Sequence, residues 1–346
     1  MNEDNNLDMK EQNEDTTEPT RRAKLKINRN VLVWVAIIIV VISASLFFRM
    51  IADNLNFWFD GNQDYESTSP NIAVVYVEGA IMSSSVDSFQ MPVGYQHQWT
   101  LEQIDRLIDD PLNKAIMLYV NSPGGGVYES DELYLKLKEY KELTGRPIYA
   151  SMGSMAASGG YYIATASDKI YANRNTWTGS IGVTLGTLYD ISAFLTKNGV
   201  KTITITSGVN KAMGSMTDPM TPEQLSIFRS LVSEAYEQFA GIVAAERKMD
   251  IASVKKIADG RIYTAKQALS NGLIDAIGTK TEAMDDLVST YNLEDCDIID
   301  VTYVDNSFFG RLLSSNMPAL PMSDTAAILK MVENSRSAPI SYTFEW

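Results

Sequence analysis

Met155-Ala-Ala-Ser-Gly-Gly-Tyr-Tyr162 isolates one serine, Ser158, between small residues and a pair of glycines. The glycines allow close backbone approach and unusual φ and ψ angles, and the apolar residues after them predict a buried helix. A serine at the start of a helix lies beside free backbone N–H groups, which stabilise negative charge. The stretch therefore predicts a strand-to-helix turn with Ser158 at its tip, acting either as an N-cap residue or as a nucleophile.

A second glycine loop, Asn121-Ser-Pro-Gly-Gly-Gly-Val127, lies upstream between a strand pattern and a helix pattern. It lacks the spacing of a dinucleotide-binding loop and the Gly-Lys-Ser/Thr ending of a P-loop, so it does not predict phosphate binding. An oxyanion site needs backbone donors about 2.7–3.1 Å from the developing charge. The N–H groups of Gly125 and Gly159 are candidates for two such donors, and a plain tight turn is the alternative.

Short β-branched runs alternate with helically spaced segments around both loops. The predicted strands are 72–77, 115–120, 147–151, 169–172 and 202–206. The predicted helices are 101–108, 129–143, the segment after Ser158, 223–247, 251–258, 264–270 and 282–291. This alternation indicates βαβ units and a largely parallel sheet, with ligand sites at the carboxyl ends of the strands.

Composition excludes several classes of partner and cofactor. The 346 residues include 29 basic and 43 acidic side chains, a formal net charge of −14, so no basic face is available to bind nucleic acid. The single cysteine, Cys296, excludes an internal disulfide framework and a cysteine-rich metal site. Its acidic neighbours should raise the pKa of the thiol, which argues against a nucleophilic role. We expect no cofactor and no metal.

The N-terminal residues predict a membrane anchor. Residues 1–30 form an acidic and then basic leader that we expect to be disordered. Residues 31–48 carry no charge, and this length is near the lower limit for a spanning helix. The basic cluster before them predicts a cytoplasmic N-terminus and an extracytoplasmic catalytic domain at the cell membrane. A cleaved signal peptide with its small-residue site at 43–45 is the alternative.

A serine nucleophile needs a base, and His97 is the one histidine of the chain. We expect His97 in a surface loop, so the remaining candidate base is a lysine that has become desolvated or lies near other cations. Lys211 fits best, because no acidic residue occurs between positions 197 and 217 to hold its ammonium group charged. Lys169 and Lys201 stay open as alternatives.

Five motifs occur in order between residues 70 and 280. They are Asn121-Ser-Pro-Gly-Gly-Gly-Val127, Gly153-Ser-Met-Ala-Ala-Ser-Gly-Gly-Tyr-Tyr162, Thr178-Gly-Ser-Ile-Gly-Val183, Ser207-Gly-Val-Asn-Lys211 and Ala258-Asp-Gly-Arg-Ile-Tyr263. Together they resemble the signal peptide peptidase SppA family.

The resemblance implies a Ser–Lys dyad serine peptidase. Ser158 would be the nucleophile and Lys211 the general base. Gly125 and Gly159 would be the oxyanion donors, and Ser180 would hydrogen-bond the lysine amine and orient it. The implied substrates are peptides, specifically cleaved signal peptides, and the implied assembly is a ring of identical subunits.

The fold class expected from pattern and resemblance together is α/β. It is ClpP/crotonase-like, with repeated ββα and βαβ units, a helical C-terminal part and one N-terminal transmembrane helix. A linker over 49–70 would precede a peptidase domain over 71–299, and residues 300–346 would form an extension of unknown role.

Clp-type proteases share the first glycine loop, but their histidine would fall near 176–183, where this chain has none, so their triad is absent. Two alternatives stay open. Crotonase-type acyl-CoA enzymes use the same oxyanion geometry and do not need the serine. A membrane scaffold that keeps the fold without turnover is the other.

Overall fold

The computed structural model describes residues 43, 67–83, 94–303 and 341–343. The chain divides into two compact units, residues 1–59 and 60–346, and the elements below belong to the second unit. Apart from Ser43, the predicted leader and transmembrane segment lie outside the described residues. Within the described residues, no helix combines the length and the apolar character that a membrane crossing requires.

The elements alternate as a βαβ pattern predicts and then become mainly helical. The strands are β1 (Asn71–Glu78), β2 (Asn113–Ser122), β3 (Gly124–Gly126), β4 (Ile148–Ala157), β5 (Lys169–Ala172), β6 (Trp177–Gly179), β7 (Ile262–Thr264), β8 (Ala276–Ile277), β9 (Asp297–Val301) and β10 (Ser341–Thr343). The helices are α1 (His97–Asp109), α2 (Val127–Thr144), α3 (Gly159–Ala164), α4 (Ser192–Lys197), α5 (Pro222–Glu246), α6 (Ile251–Ile257), α7 (Ala265–Ser270) and α8 (Lys280–Tyr291).

The main sheet is parallel in its centre. Strands β9, β1, β2, β4, β5 and β8 pair in that order and all run parallel, which confirms the predicted α/β class. Strands β1 and β2 are almost continuously buried apolar runs, as parallel strands covered on both faces usually are. Strand β7 pairs antiparallel with β6 at the far side.

Strand β4 forks along its length. Its residues 149–152 pair with β5, whereas residues 155–157 pair with β6. The strand is therefore longer than the predicted 147–151, and its second half leads directly into Ser158.

Helices cover both faces of the sheet. Alternate residues of β1 enter different cores: Ala73 and Val75 pack with α1, α2, α3 and α5, whereas Ile72 and Val74 pack with α8. The turn that carries Ser158 belongs to the first of these faces, because the α3 side chains are all buried in that core.

One predicted strand is absent. Residues 202–206 have no ladder partner among the described residues and are not a strand. Their side chains lie outside any core, since Ile203 is 86% and Ile205 92% exposed.

Candidate active site

Ser158 occupies a strained turn between β4 and α3. Its backbone angles, φ 54° and ψ −118°, lie in a region that residues with a side chain rarely adopt. The Ser158 N–H donates to the Gly179 carbonyl at 2.8 Å, and the Ser158 carbonyl accepts from the Tyr162 N–H at 2.9 Å. Strain of this kind concentrates at functional sites, and a strand-to-helix elbow that carries a serine is one known form.

The two predicted glycine loops meet at this turn. A methyl group at Gly159 would lie 2.4 Å from the Ser130 hydroxyl oxygen and 3.1 Å from the Gly125 backbone nitrogen. No larger residue fits there without moving the loops. The fold therefore brings Gly125 and Gly159 together.

Strand β3 is held against Ile81, three residues after the end of β1. The Gly126 N–H donates to the Ile81 carbonyl at 2.8 Å, and the Ile81 N–H donates to the Gly124 carbonyl at 2.9 Å. Because backbone groups alternate along an extended segment, the Gly125 N–H faces the other way. On that other side lies β10, antiparallel, with Tyr342 opposite Gly125.

Ser180 lies beside the turn, directly after the glycine whose carbonyl receives the Ser158 N–H. It is 6% exposed, has φ 49°, and donates its N–H to the Arg261 carbonyl at 2.8 Å. Its hydroxyl makes no hydrogen bond within the part of the chain that the structure describes.

An open groove of about 1060 Å³ begins at Ser180. It runs between the segment 182–188 and one face of α5. Its apolar lining includes Leu185, Leu188, Leu225, Phe228, Val232 and Tyr236.

The candidate bases lie in very different places. Lys211 is exposed, in a turn where its N–H donates to the Gly208 carbonyl at 3.1 Å. Among the described residues its ammonium group has no ion-pair or hydrogen-bond partner, and no hydrogen bond joins it to the Ser158 hydroxyl. The structure of one chain therefore does not bring the two predicted dyad residues together.

The two alternative lysines differ from each other. The hydrogen bond from Lys169 to Asp286, at 2.6 Å, raises the pKa of Lys169 to about 12, which makes it a poor base. Lys201 is exposed and has no ion pair with any described residue.

His97 is not the surface-loop residue that we expected. It is 4% exposed at the start of α1, with its Nδ1 2.8 Å from the Tyr95 hydroxyl and its Nε2 2.9 Å from a Glu132 carboxylate oxygen. The hydrogen bond from His97 lowers the pKa of Glu132. Both ring nitrogens are thus used between α1 and α2, and none reaches Ser158.

Ser130 was missed by the sequence reasoning. Its hydroxyl is fully buried next to Gly159 and has no hydrogen-bond partner among the residues that the structure describes. It lies four residues after Gly126 on the first turn of α2, so helical spacing from the glycine loop could have found it.

Cys296 and the remaining acids do not form a second centre. Burial, more than the adjacent acids, raises the pKa of the Cys296 thiol, so the predicted direction is right and its main cause was not foreseen. The described residues contain no group of three or more His, Cys, Asp or Glu that could hold a metal ion.

Comparison with known proteins identifies the family. The peptidase family S49 model matches residues 141–294. "Putative signal peptide peptidase SppA" of Enterococcus faecium is 38% identical over 252 residues, which are 72% of this chain and 73% of that protein. "Protease 4" of Salmonella typhi is 36% identical over 217 residues, 63% of this chain and 34% of that protein.

A plant relative agrees. "Serine protease SPPA, chloroplastic" of Arabidopsis thaliana is 36% identical over 190 residues, 53% of this chain and 27% of that protein. These matches favour a peptidase over an acyl-CoA enzyme of the same oxyanion geometry. The chain belongs to peptidase family S49, the SppA family of serine peptidases.

Proposed function

We propose that this chain is a membrane-anchored endopeptidase that degrades cleaved signal peptides with a Ser158–Lys211 dyad. The observation that carries the proposal is the strained turn at Ser158, against which a second glycine loop packs. The name of one relative, signal peptide peptidase, supplies the substrate class. The apolar groove beside Ser180 suits the apolar side chains of such peptides.

The chemistry follows from these roles. Lys211 removes the hydroxyl proton of Ser158, whose oxygen attacks the peptide carbonyl carbon. The N–H groups of Gly125 and Gly159 hold the resulting oxyanion. Lysine then returns its proton to the leaving amine, and water hydrolyses the acyl-enzyme. The unpartnered Ser180 hydroxyl accepts from the lysine amine and orients it.

A peptide would bind as an added strand along β3. Main-chain hydrogen bonds to a free strand edge give affinity without regard to side chains, and the pockets beside the edge give preference. The antiparallel pairing of β10 with β3 supports this mode, since the chain's own residues 341–343 use the same edge. The parallel sheet with its glycine loops also supports the ClpP/crotonase-like arrangement that the resemblance implies.

The dyad would be completed between copies of the chain. A lysine acts as a base only when burial or nearby cations lower its pKa, and Lys211 is exposed in the single chain. The segment around it also exposes large apolar side chains, with Phe194 at 65%, Ile205 at 92% and Val209 at 85%. A second copy that covers this segment would bury both the apolar patch and Lys211, as a ring of identical subunits requires.

The location rests on the N-terminal sequence. The uncharged residues 31–48 and the basic residues before them support a single-pass anchor with the peptidase domain outside the cell membrane.

Peptide hydrolysis by the full-length chain tests the proposal, with a synthetic signal peptide as substrate. We expect Ser158→Ala and Lys211→Ala each to lower kcat/KM by about 10³-fold or more. Lys201→Ala, an exposed lysine of the same segment, is the matched control and should keep full activity. His97→Asn should stay active per folded molecule. Full activity of Ser158→Ala would end the serine-peptidase mechanism.

A further inference from the structure

A second pocket lies on the α8 face of the sheet, away from the nucleophile turn. Four residues stand in register across β1, β2, β4 and β5: Tyr76, Tyr119, Ser151 and Tyr171. Ser151 is the one small side chain in this row, and Gly153 follows it on the same face. The missing bulk leaves a cavity of about 350 Å³, here called the α8 pocket.

The α8 pocket faces away from the catalytic serine. Side chains alternate along a strand: Met152 belongs to the core beneath α3, whereas Tyr149 belongs to the core beneath α8 and Ser151 shares its face. The cavity therefore lies beside the middle of β4, near the carboxyl ends of β2 and β5 and the start of α8.

Its lining is rich in hydrogen-bond donors. Hydroxyl and amide groups come from Tyr119, Ser151, Asn173 and Asn175, and the one charged lining residue is Lys280. The Thr279 hydroxyl, also in the lining, donates to Glu282 at 3.0 Å. No aspartate or glutamate lines the cavity, although the whole chain has a formal net charge of −14.

Lys280 is held in position by aromatic rings. Its ammonium nitrogen lies 4.6 Å from the Tyr76 ring centroid and 5.6 Å from the Tyr119 centroid, and it donates to the Tyr76 hydroxyl. Asp300, 4.0 Å away, is a mostly exposed partner that leaves part of the charge available.

The buried polar groups of the pocket are not all satisfied from within. Ser151 is 2% exposed, and its hydroxyl makes no hydrogen bond with any described residue. The Tyr119 hydroxyl also makes none. Both residues line the cavity, so their hydroxyls are open to a ligand or to water there.

We propose that the α8 pocket binds a small carboxylate, such as the C-terminal carboxylate of an amino acid or short peptide. The cavity offers one cation and several neutral donors, and no aspartate or glutamate lines it. The nearby carboxylates are Asp300, which pairs with Lys280, and Glu282, which caps the start of helix α8. The volume admits a ligand of amino-acid size rather than an extended peptide.

Titration of the full-length chain with N-acetyl-L-alanine, followed by chemical-shift changes or calorimetry, tests the site. N-acetyl-L-alaninamide is the probe without the charge. We expect the acid to bind with a millimolar Kd and the amide at least tenfold more weakly. Lys280→Gln and Ser151→Ala should each weaken binding of the acid at least fivefold. Lys266→Gln, an exposed lysine on α7, is the control and should not change it.

Equal binding of the acid and the amide would overturn the carboxylate assignment. Unchanged binding of the acid by Lys280→Gln would overturn the site itself. Lys280 is partly exposed, so we expect the Lys280→Gln variant to fold normally. It therefore tests the site even where Ser151→Ala lowers the melting temperature. Absence of binding up to about 50 mM acid would also refute the proposal.

Discussion

At the scale of single residues, the nucleophile turn depends on atoms that have no room to move. Gly159 shows this most directly, because a Cβ atom added there would lie 2.4 Å from the Ser130 hydroxyl oxygen and 3.1 Å from the Gly125 nitrogen. An added methyl group would have to displace α2 or the glycine loop, and either shift would misplace a proposed oxyanion donor.

Gly159→Ala should therefore lower kcat by about 10²–10³-fold, which is the usual effect of losing one oxyanion donor. KM should change far less, because the donor acts mainly on the transition state. Steady-state kinetics with the signal peptide substrate measures both values. Gly241→Ala, in α5, is the control: nothing lies within 4 Å of the added carbon, so activity should be unchanged. A Gly159→Ala enzyme with normal kcat would exclude this glycine from the oxyanion site.

Local chemistry explains why the turn was predictable and His97 was not. A serine followed by two glycines predicts a tight turn from residues that are adjacent in the sequence. Ser158 does lie in such a turn, with a positive φ angle. The burial of His97 depends on Glu132, 35 positions along the chain, and no local pattern joins the two. The sequence predicted a surface loop at His97, whereas packing of α1 against α2 buries its ring in a hydrogen bond with Glu132.

At the scale of elements, α2 and α5 are joined by a partly buried carboxylate. The Glu246 side chain is 18% exposed and accepts from the Tyr134 hydroxyl at 2.6 Å and from the Lys138 ammonium at 2.8 Å. Burial alone would raise the pKa of Glu246, but these two donors outweigh it and the pKa is lowered. A lowered pKa contributes stability above the unfolded value of about 4.3 and loses it as pH falls through the folded value.

Glu246→Gln should accordingly destabilise the protein by about 1–2 kcal/mol at pH 7, and the difference should shrink steadily below about pH 4. Thermal unfolding from pH 7 down to pH 3 measures it. The matched control is Glu237→Gln on the same helix, whose ion pair with Lys255 is largely exposed and should contribute about 0–0.5 kcal/mol. A pH-independent difference between Glu246→Gln and the parent would contradict the linkage.

Strand β10 gives a second prediction at this scale. A chain that ends at residue 340 loses the strand that pairs with β3, so a substrate peptide no longer competes with it for that edge. We expect KM for the signal peptide to fall several-fold while kcat stays within about twofold. The synthetic peptide Ile-Ser-Tyr-Thr-Phe-Glu-Trp, residues 340–346, should inhibit the shortened enzyme competitively. An unchanged KM would mean that β10 does not occupy the substrate edge.

Element patterns succeeded where a strand had neighbours and failed where it did not. Strands β1 and β2 are apolar runs that fit between layers, and they appear close to their predicted bounds. Residues 202–206 alternate threonine and isoleucine, yet no described strand pairs with them. A segment forms a strand only where a neighbouring strand pairs with it, and the sequence of the segment alone does not predict whether that neighbour exists.

At the scale of the whole molecule, one chain buries the proposed nucleophile, Ser158, but leaves its proposed base, Lys211, exposed to solvent. Sequence reasoning selected Lys211 because no acid lies near it along the chain, and the described structure agrees that it has no acidic partner. No sequence pattern predicts the burial that would lower the pKa of Lys211, because that burial would come from a neighbouring copy of the chain.

Mixing two inactive variants tests this shared site. Ser158→Ala keeps Lys211, and Lys211→Ala keeps Ser158. If each site takes its serine from one copy and its lysine from the next, co-expression in equal amounts should restore about a quarter of the parent activity. The fraction follows from random assembly, since about half of the copies supply a serine and about half of their neighbours a lysine. Each variant alone stays inactive, and co-expression of Ser158→Ala with a Ser158→Ala, Lys211→Ala double variant should restore nothing. A dyad formed within one chain would leave the first mixture as inactive as its components.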